Sequence, residues 1–198
     1  MKILNKDRLA LVLICCVAAV LTGCMSTGSR QKFVSRSLTD PGVKTQKQLV
    51  DFFMTSRPDA DRDMVNRMAG YYVSEAATEG INSDCAFVQM CLETGFLSFG
   101  GLVTPDMHNY CGLGAIDADH RGERFPTEQM GVRAHIQHLH AYATPEGVSL
   151  HNELIDKRYK WVLPRGKAPT IYGLAGTWAA DKEYGAKLDR LLSRLESF

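Results

Sequence analysis

Apolar residues recur at three- and four-residue steps in five separate stretches of this chain, and nowhere do they alternate over a strand-length run. That period commits the body to packed helices rather than to a sheet. Gln48, Leu49, Phe52 and Phe53 mark a first helix over about 45–56, closed by Arg57-Pro58. Asp61 is placed to cap a second, in which Met64, Val65, Met68, Tyr71, Tyr72 and Ala76 recur up to Gly80. Ser83 is the expected cap of a third, with Ala86, Phe87, Met90 and Cys91 inward and Gly95 at its end, which puts Glu93 in its last turn. Thr127 opens a fourth from Glu128 to about Ala143. A last helix runs from Asp181 to about Leu195, with Tyr184, Leu188, Leu191 and Leu192 inward, and short helical pieces are expected around 149–156 and 170–175.

Between Phe96 and Pro126 the composition turns to Gly, Pro, Asp, Asn and single aromatics without a helical period. A connection of that length in a compact domain usually carries function. The chain has 198 residues, 45% hydrophobic and 23% charged, so it is sized for one domain plus extensions and can bury a core. Lys and Arg number 23 against 22 Asp and Glu, a net +1 that gives no electrostatic case for a nucleic-acid partner.

Lys2, Lys6 and Arg8 precede an apolar run from Leu9 to Leu21 that is short for a permanent membrane span and reads as a signal peptide over 1–23. The run ends in Leu21-Thr22-Gly23-Cys24, which resembles the lipobox of bacterial lipoproteins; the resemblance implies that Cys24 takes the lipid and becomes the first mature residue. Residues 1–23 carry a net +2, so the remainder stands at −1. Residues 24–44, rich in Ser, Thr, Gly, Arg and Lys, read as a lipidated flexible tether with a reach on the order of 25 Å, and 45–198 as the functional domain. The expected location is the cell envelope, at the outer membrane or cell surface, with the membrane reached through the lipid anchor and the chain a monomer.

Past Cys24 only Cys85, Cys91 and Cys111 remain, an odd number that excludes a complete disulfide framework. Cys85 and Cys91 would be separated by about 9 Å of helix rise and face different ways, so buried free thiols are expected. Glu93 reads on its own residues either as a solvated acid near a helix end or as a chemically distinctive one. It sits at the negative end of a helix dipole beside Leu92, Gly95, Phe96 and Leu97, and both effects favour its protonated form. A carboxylic acid kept protonated near neutral pH at the mouth of an aromatic-lined loop suits protonation of a glycosidic leaving oxygen.

The run Ala86-Phe87-Val88-Gln89-Met90-Cys91-Leu92-Glu93-Thr94-Gly95-Phe96 resembles the helix of bacterial glucosaminidases, glycoside hydrolase family 73, that ends in a catalytic Glu. Asn109-Tyr110-Cys111-Gly112-Leu113-Gly114-Ala115 is similar to that family's next block. Gly131 to Leu139, with His135, resembles its His-bearing helix, and Trp178-Ala179-Ala180-Asp181-Lys182-Glu183-Tyr184 its closing block. The likeness spans about 48–195 and implies a mainly α, lysozyme-like glucosaminidase domain with a long irregular active-site loop or small β-lobe. It implies that Glu93 is the general acid cleaving β-1,4 bonds after N-acetylglucosamine in peptidoglycan. Asn109, Tyr110, Phe96 and Phe125 would line the groove, and Trp178 would either stack on a sugar or pack in the core.

Two departures bear on mechanism. Where the family often carries an aromatic-Arg-x-Tyr-x-Ser stretch, this chain has Gly122-Glu123-Arg124-Phe125-Pro126-Thr127, without the tyrosine. The segment from Gly114 to Arg124 is also short, leaving Asp117, Asp119 and Glu123 as candidates for the second carboxylate, with Glu123 first and Glu75 in reserve. Glu75 and Glu79, four apart, read as solvated, capping or groove-facing. Neither a metal nor another cofactor is expected: His135 and His138 are three apart without a His-Glu-x-x-His pattern, and His135 reads as a hydrogen-bonded packing residue. A cysteine peptidase built on Cys91 or Cys111 lacks a local signature. The loop Val162 to Lys167, with Arg165, is placed to meet stem-peptide carboxylates or simply to be solvated. Rival readings are a catalytically weak glycan-binding lipoprotein on the same fold and an endo-N-acetylglucosaminidase acting on other N-acetylglucosamine glycans.

Overall fold

The computed structural model describes residues 33–198; the leader and Cys24 lie outside the described residues. Among the described residues there are five α-helices: α1 (Gln46–Ser56), α2 (Arg62–Glu79), α3 (Ser83–Thr94), α4 (Glu128–Ala143) and α5 (Tyr184–Leu195), with 3-10 turns at Pro105–Met107, Tyr159–Trp161 and Ile171–Leu174. Among the described residues, β pairing is limited to three isolated bridges. The mainly α reading of the sequence therefore holds. α3 is the pivot. It is apolar nearly all round and buried from Ser83 to Cys91, with α1, α2, α4 and α5 packed against it. Phe87 meets Phe53 and Tyr72 edge-on, at centroid distances of 6.4 and 5.7 Å.

Local chemistry moves some helix ends from where spacing put them. Gln48 is not part of the inward stripe: its Oε1 accepts from the Thr45 amide at 2.9 Å while Thr45 Oγ1 accepts from the Gln48 amide at 3.3 Å, a reciprocal cap. Asn82, not Ser83, caps α3, its Oδ1 accepting from the amides of Asp84 and Cys85. α5 begins at Tyr184 rather than Asp181, whose carboxylate is engaged by the Glu183 amide and by Lys187. The piece expected at 149–156 is not helical, because side chains of α2 and α4 capture its amides. Glu79 accepts from His151 and Asn152, and Gln137 Oε1 accepts from Ile155 and Asp156.

The body also begins earlier than composition suggested. Residues 33–44 are not a free tether: Val34 and Leu38 are fully buried, and Asp84 accepts from the amides of Val43 and Lys44. Leu38 donates to Pro169 and Ile171 to Arg36, while the Arg36 guanidinium pairs with Asp189 at 2.7 Å and with Glu196. Two apolar anchors in a polar stretch are enough to dock it.

Candidate active site

α3 ends in a left-handed turn. Gly95, Phe96 and Leu97 all have positive φ, of 57°, 55° and 60°. Such backbone is strained for Phe and Leu and persists only where contacts fix it. Here the Phe96 amide donates to Cys91, the Leu97 amide to Thr94 Oγ1 and the Phe99 amide to Thr94, while Arg57 caps the Phe96 carbonyl at 3.1 Å. The turn packs the Phe96 ring against Phe52 and Phe53, at 5.9 and 5.4 Å, and leaves Glu93 at the rim. Phe96 is thus a packing residue of the turn and not part of the groove wall.

Glu93 stands where two cavities meet. One, of about 230 Å³, is walled by Thr94, Phe99, Leu102, Val103 and Asn109; the other, of about 420 Å³, by Leu113, Ile116, His138, Tyr142, Arg158 and Trp178. Glu93, Gly112 and Ala115 line both, so the cavities form one groove with the carboxyl at its middle. Burial by these walls pushes the Glu93 carboxyl above the usual carboxylate range, opposed by hydrogen bonds from Tyr184 and Trp178.

Those two donors converge on one oxygen. Trp178 Nε1 donates to Glu93 Oε1 at 3.0 Å and the Tyr184 hydroxyl donates to the same atom. A proton held by Glu93 therefore sits on Oε2. Gly112 lies on that side, in left-handed backbone with φ 67°, where a Cβ would come within 4.0 Å of Oε2. Behind Tyr184 the bonds continue: Gln89 Nε2 donates to the Tyr184 hydroxyl at 2.9 Å, and Gln89 Oε1 meets His135 Nε2 at 3.1 Å. The Tyr72 hydroxyl meets His135 Nδ1 at 2.8 Å. Because the Gln89 carbonyl can only accept, His135 carries its proton on Nε2, and every hydroxyl, ring and amide in the series donates toward Glu93. Burial pushes the His135 imidazole down to about 3, with the neighbouring His138 adding to the shift, so it stays neutral and keeps this polarity. His135 is thus the buried, hydrogen-bonded packing residue that the sequence suggested.

A test of this wiring is Tyr184→Phe. Losing a donor that favours the carboxylate raises the Glu93 pKa further, so the alkaline limb of kcat/KM moves to higher pH, while lost positioning lowers kcat on the order of tenfold. A pH–rate profile reads both. A limb displaced to lower pH would contradict the assignment.

The other sequence candidates have different fates. Asn109 is buried and lines the smaller cavity, yet its amide is fully occupied as a clamp: Nδ2 donates to Leu113 and Glu123 carbonyls and Oδ1 accepts from the Leu113 amide. Tyr110 is buried against Phe99 and Phe125 packs with Cys111, Leu113 and Ala134; neither lines the groove. Trp178 combines both readings, lining the groove while packing against His138 and Tyr142 at 5.1 and 5.2 Å. Asp117 and Asp119 sit on an exposed turn closed by the Ala115–Arg121 bridge, and Asp117 holds His120. Glu123 pairs with Lys157 at 3.1 Å and is not among the groove-lining residues. The pairing is reached because the Asn109 clamp fixes the Glu123 backbone and Gly114 lets its stem lie close.

Glu75 and Glu79 are neither solvated nor in the groove: both are buried, Glu75 by Arg133, Gln129 and Asn152, Glu79 by the 151–152 amides. Cys85, Cys91 and Cys111 are free and buried, and burial pushes all three thiols up, which removes the thiolate a peptidase needs. Among the described residues no three His, Cys, Asp or Glu side chains group so as to hold a metal ion. Sequence reasoning missed Gln89 and the His138–Asp156 pair, at 2.7 Å. Gln89 had a signal: one amide in an otherwise apolar helix is buried with a partner.

The family described as mannosyl-glycoprotein endo-beta-N-acetylglucosaminidase, the glucosaminidases, matches residues 69–197, which include Glu93, the groove and the whole buried series. An uncharacterized protein of Borreliella burgdorferi is 41% identical over 153 residues, covering 77% of this chain and 74% of that one. No solved structure matches the chain. With the match running across more than half of the sequence, the chain belongs to the glucosaminidase family of glycoside hydrolases.

Proposed function

We propose that this protein hydrolyses β-1,4 glycosidic bonds after N-acetylglucosamine in peptidoglycan, with Glu93 as general acid. The observation that carries the reading is a carboxyl with raised pKa at the junction of two cavities, its Oε1 held by two donors and its Oε2 left open. Glu93 delivers its Oε2 proton to the glycosidic oxygen as the bond to C1 breaks. Among the described residues no second Asp or Glu lines the groove, which favours the substrate's own acetamido carbonyl as the nucleophile at C1. Water then adds to C1 of the resulting oxazolinium ion and gives its proton to Glu93, with net retention.

Glu123→Gln is accordingly expected to keep turnover within about threefold, since a surface ion pair is worth little. Glu123→Gln combined with proton NMR of the first-formed product anomer tests this. The β anomer and near-normal turnover are expected; the α anomer, or a loss of turnover like that of a missing base, would return Glu123 to the catalytic pair.

We also propose that the chain is lipid-anchored at the cell envelope through Cys24, on the strength of the Leu21-Thr22-Gly23-Cys24 pattern. Cys24→Ser is expected to abolish fatty-acid labelling and release the protein from the membrane fraction. Retention of label in that variant contradicts the anchor.

A further inference from the structure

The larger cavity is lined by one cation, Arg158, with which no described carboxylate forms an ion pair. Arg158 lines the groove, its stem running over Gly114, where a Cβ would meet Arg158 Cδ at 3.5 Å. Its guanidinium lies 4.8 Å from the ring centroid of Trp161, which is 61% exposed, and among the described residues no carboxylate reaches it. The nearby acids are spoken for: Glu123 pairs with Lys157, and buried Asp156 accepts from His138 Nδ1 and from the Arg158 amide. Lys160, two residues on, is exposed and adds positive charge. His138 shares the cavity wall, and its Nδ1 lies 2.7 Å from Asp156 Oδ2, so that ring is already engaged by a buried carboxylate. Arg165 does not join this surface. Arg165 is held by the Ala141 carbonyl and Thr144 and stacks on Tyr159, and Lys167 lies over Tyr142.

We propose that Arg158, oriented by Trp161, forms a carboxylate subsite at the end of the groove, which binds an acidic group carried by the glycan and so favours carboxylate-bearing amino-sugar strands over neutral ones. A guanidinium held over an indole by cation–π attraction keeps its N–H donors for a carboxylate, with which it can pair through two bonds. The inference rests on the glycan reading above and names the feature that sets its substrate class. The carboxylate has two sources in such a strand, the lactyl group of the acidic sugar and the peptide attached to it.

The test is equilibrium binding and kcat/KM of the full chain on three ligands of matched length. One is peptide-bearing glycan, one is peptide-stripped glycan with free lactyl carboxylates, and one is a chito-oligosaccharide with no carboxylate. The wild type should prefer at least one acidic ligand, and Arg158→Gln should reduce the acidic-to-neutral ratio on the order of tenfold, with Arg158→Lys recovering part of it. Trp161→Ala should lower the same ratio less. Loss confined to the peptide-bearing ligand assigns the stem peptide; loss confined to the stripped ligand assigns the lactyl group. A ratio unchanged by Arg158→Gln overturns the subsite and leaves the glycan reading standing, whereas a chain that binds none of the three overturns both. Binding to phosphatidylglycerol vesicles that falls with Arg158→Gln while the glycan ratio holds would give the patch to a lipid surface and also overturn the subsite.

Discussion

Glu93→Gln is expected to cut hydrolysis by about 10² to 10⁴ while leaving the fold and glycan binding close to those of the parent, the usual worth of a positioned general acid. The substitution keeps the shape of the side chain, and the amide carbonyl can still accept from Tyr184 and Trp178 at the place of Oε1. What it removes is the transferable proton on the groove side. The raised pKa sets the direction of the pH response: activity requires the acid form, so kcat/KM falls as pH rises through the Glu93 pKa, and burial moves that fall toward neutrality. Turnover, thermal melting and glycan binding of the variant, measured together, separate chemistry from folding. Activity near that of the parent would remove Glu93 from the role.

Gly131→Ala should be destabilising, although it adds a single methyl group. In an ordinary helix interior the change would gain up to about 1 kcal/mol. Here α4 presses directly on the loop before the groove: a Cβ at 131 would lie 1.8 Å from the His108 carbonyl oxygen and 3.1 Å from the Tyr110 ring. The neighbour is backbone, and His108 is already left-handed with φ 49° and tied to the Phe125 carbonyl at 2.9 Å. The clash outweighs propensity, so a loss of about 1–3 kcal/mol is expected, lowering Tm by roughly 2–4 °C per kcal/mol. Displacing His108 also displaces Asn109, whose amide holds the Leu113 and Glu123 carbonyls, and a shift of about 1 Å near the site can cost about 10²-fold in turnover. Gly70→Ala is the control. Its Cβ meets only the flexible end of Gln46, at 3.1 Å, and stability should hold or rise. Equal melting temperatures for Gly131→Ala and the parent would refute the close approach.

What the sequence made legible, and what it hid, follow from the range of the forces involved. Helix periods, the caps at Asp61 and Thr127 and the Gly80 and Gly95 stops are local, and the structure keeps them. The raised pKa of Glu93 was legible from its helix end and apolar neighbours; the donors Tyr184 and Trp178, some ninety residues on, were not. Side-chain partners far along the chain were not. Nothing near Phe96 announces that Phe52 and Phe53 will claim its ring, or near Glu123 that Lys157 will claim its carboxylate. The segment at 149–156 is kept irregular by Glu79 and Gln137, side chains on other elements, which no periodicity within the segment records. Residues 33–44 mislead for the same reason: their polar composition is real, and two buried apolar side chains override it.

As proposed above, Glu93 protonates the oxygen leaving from N-acetylglucosamine in a peptidoglycan strand. Digestion of purified peptidoglycan by the full chain, with mass analysis of the newly formed reducing ends, tests it most directly. New ends on N-acetylglucosamine are expected with the wild type and almost none with Glu93→Gln. New ends on the acidic sugar, or cleavage confined to peptide bonds, would contradict it.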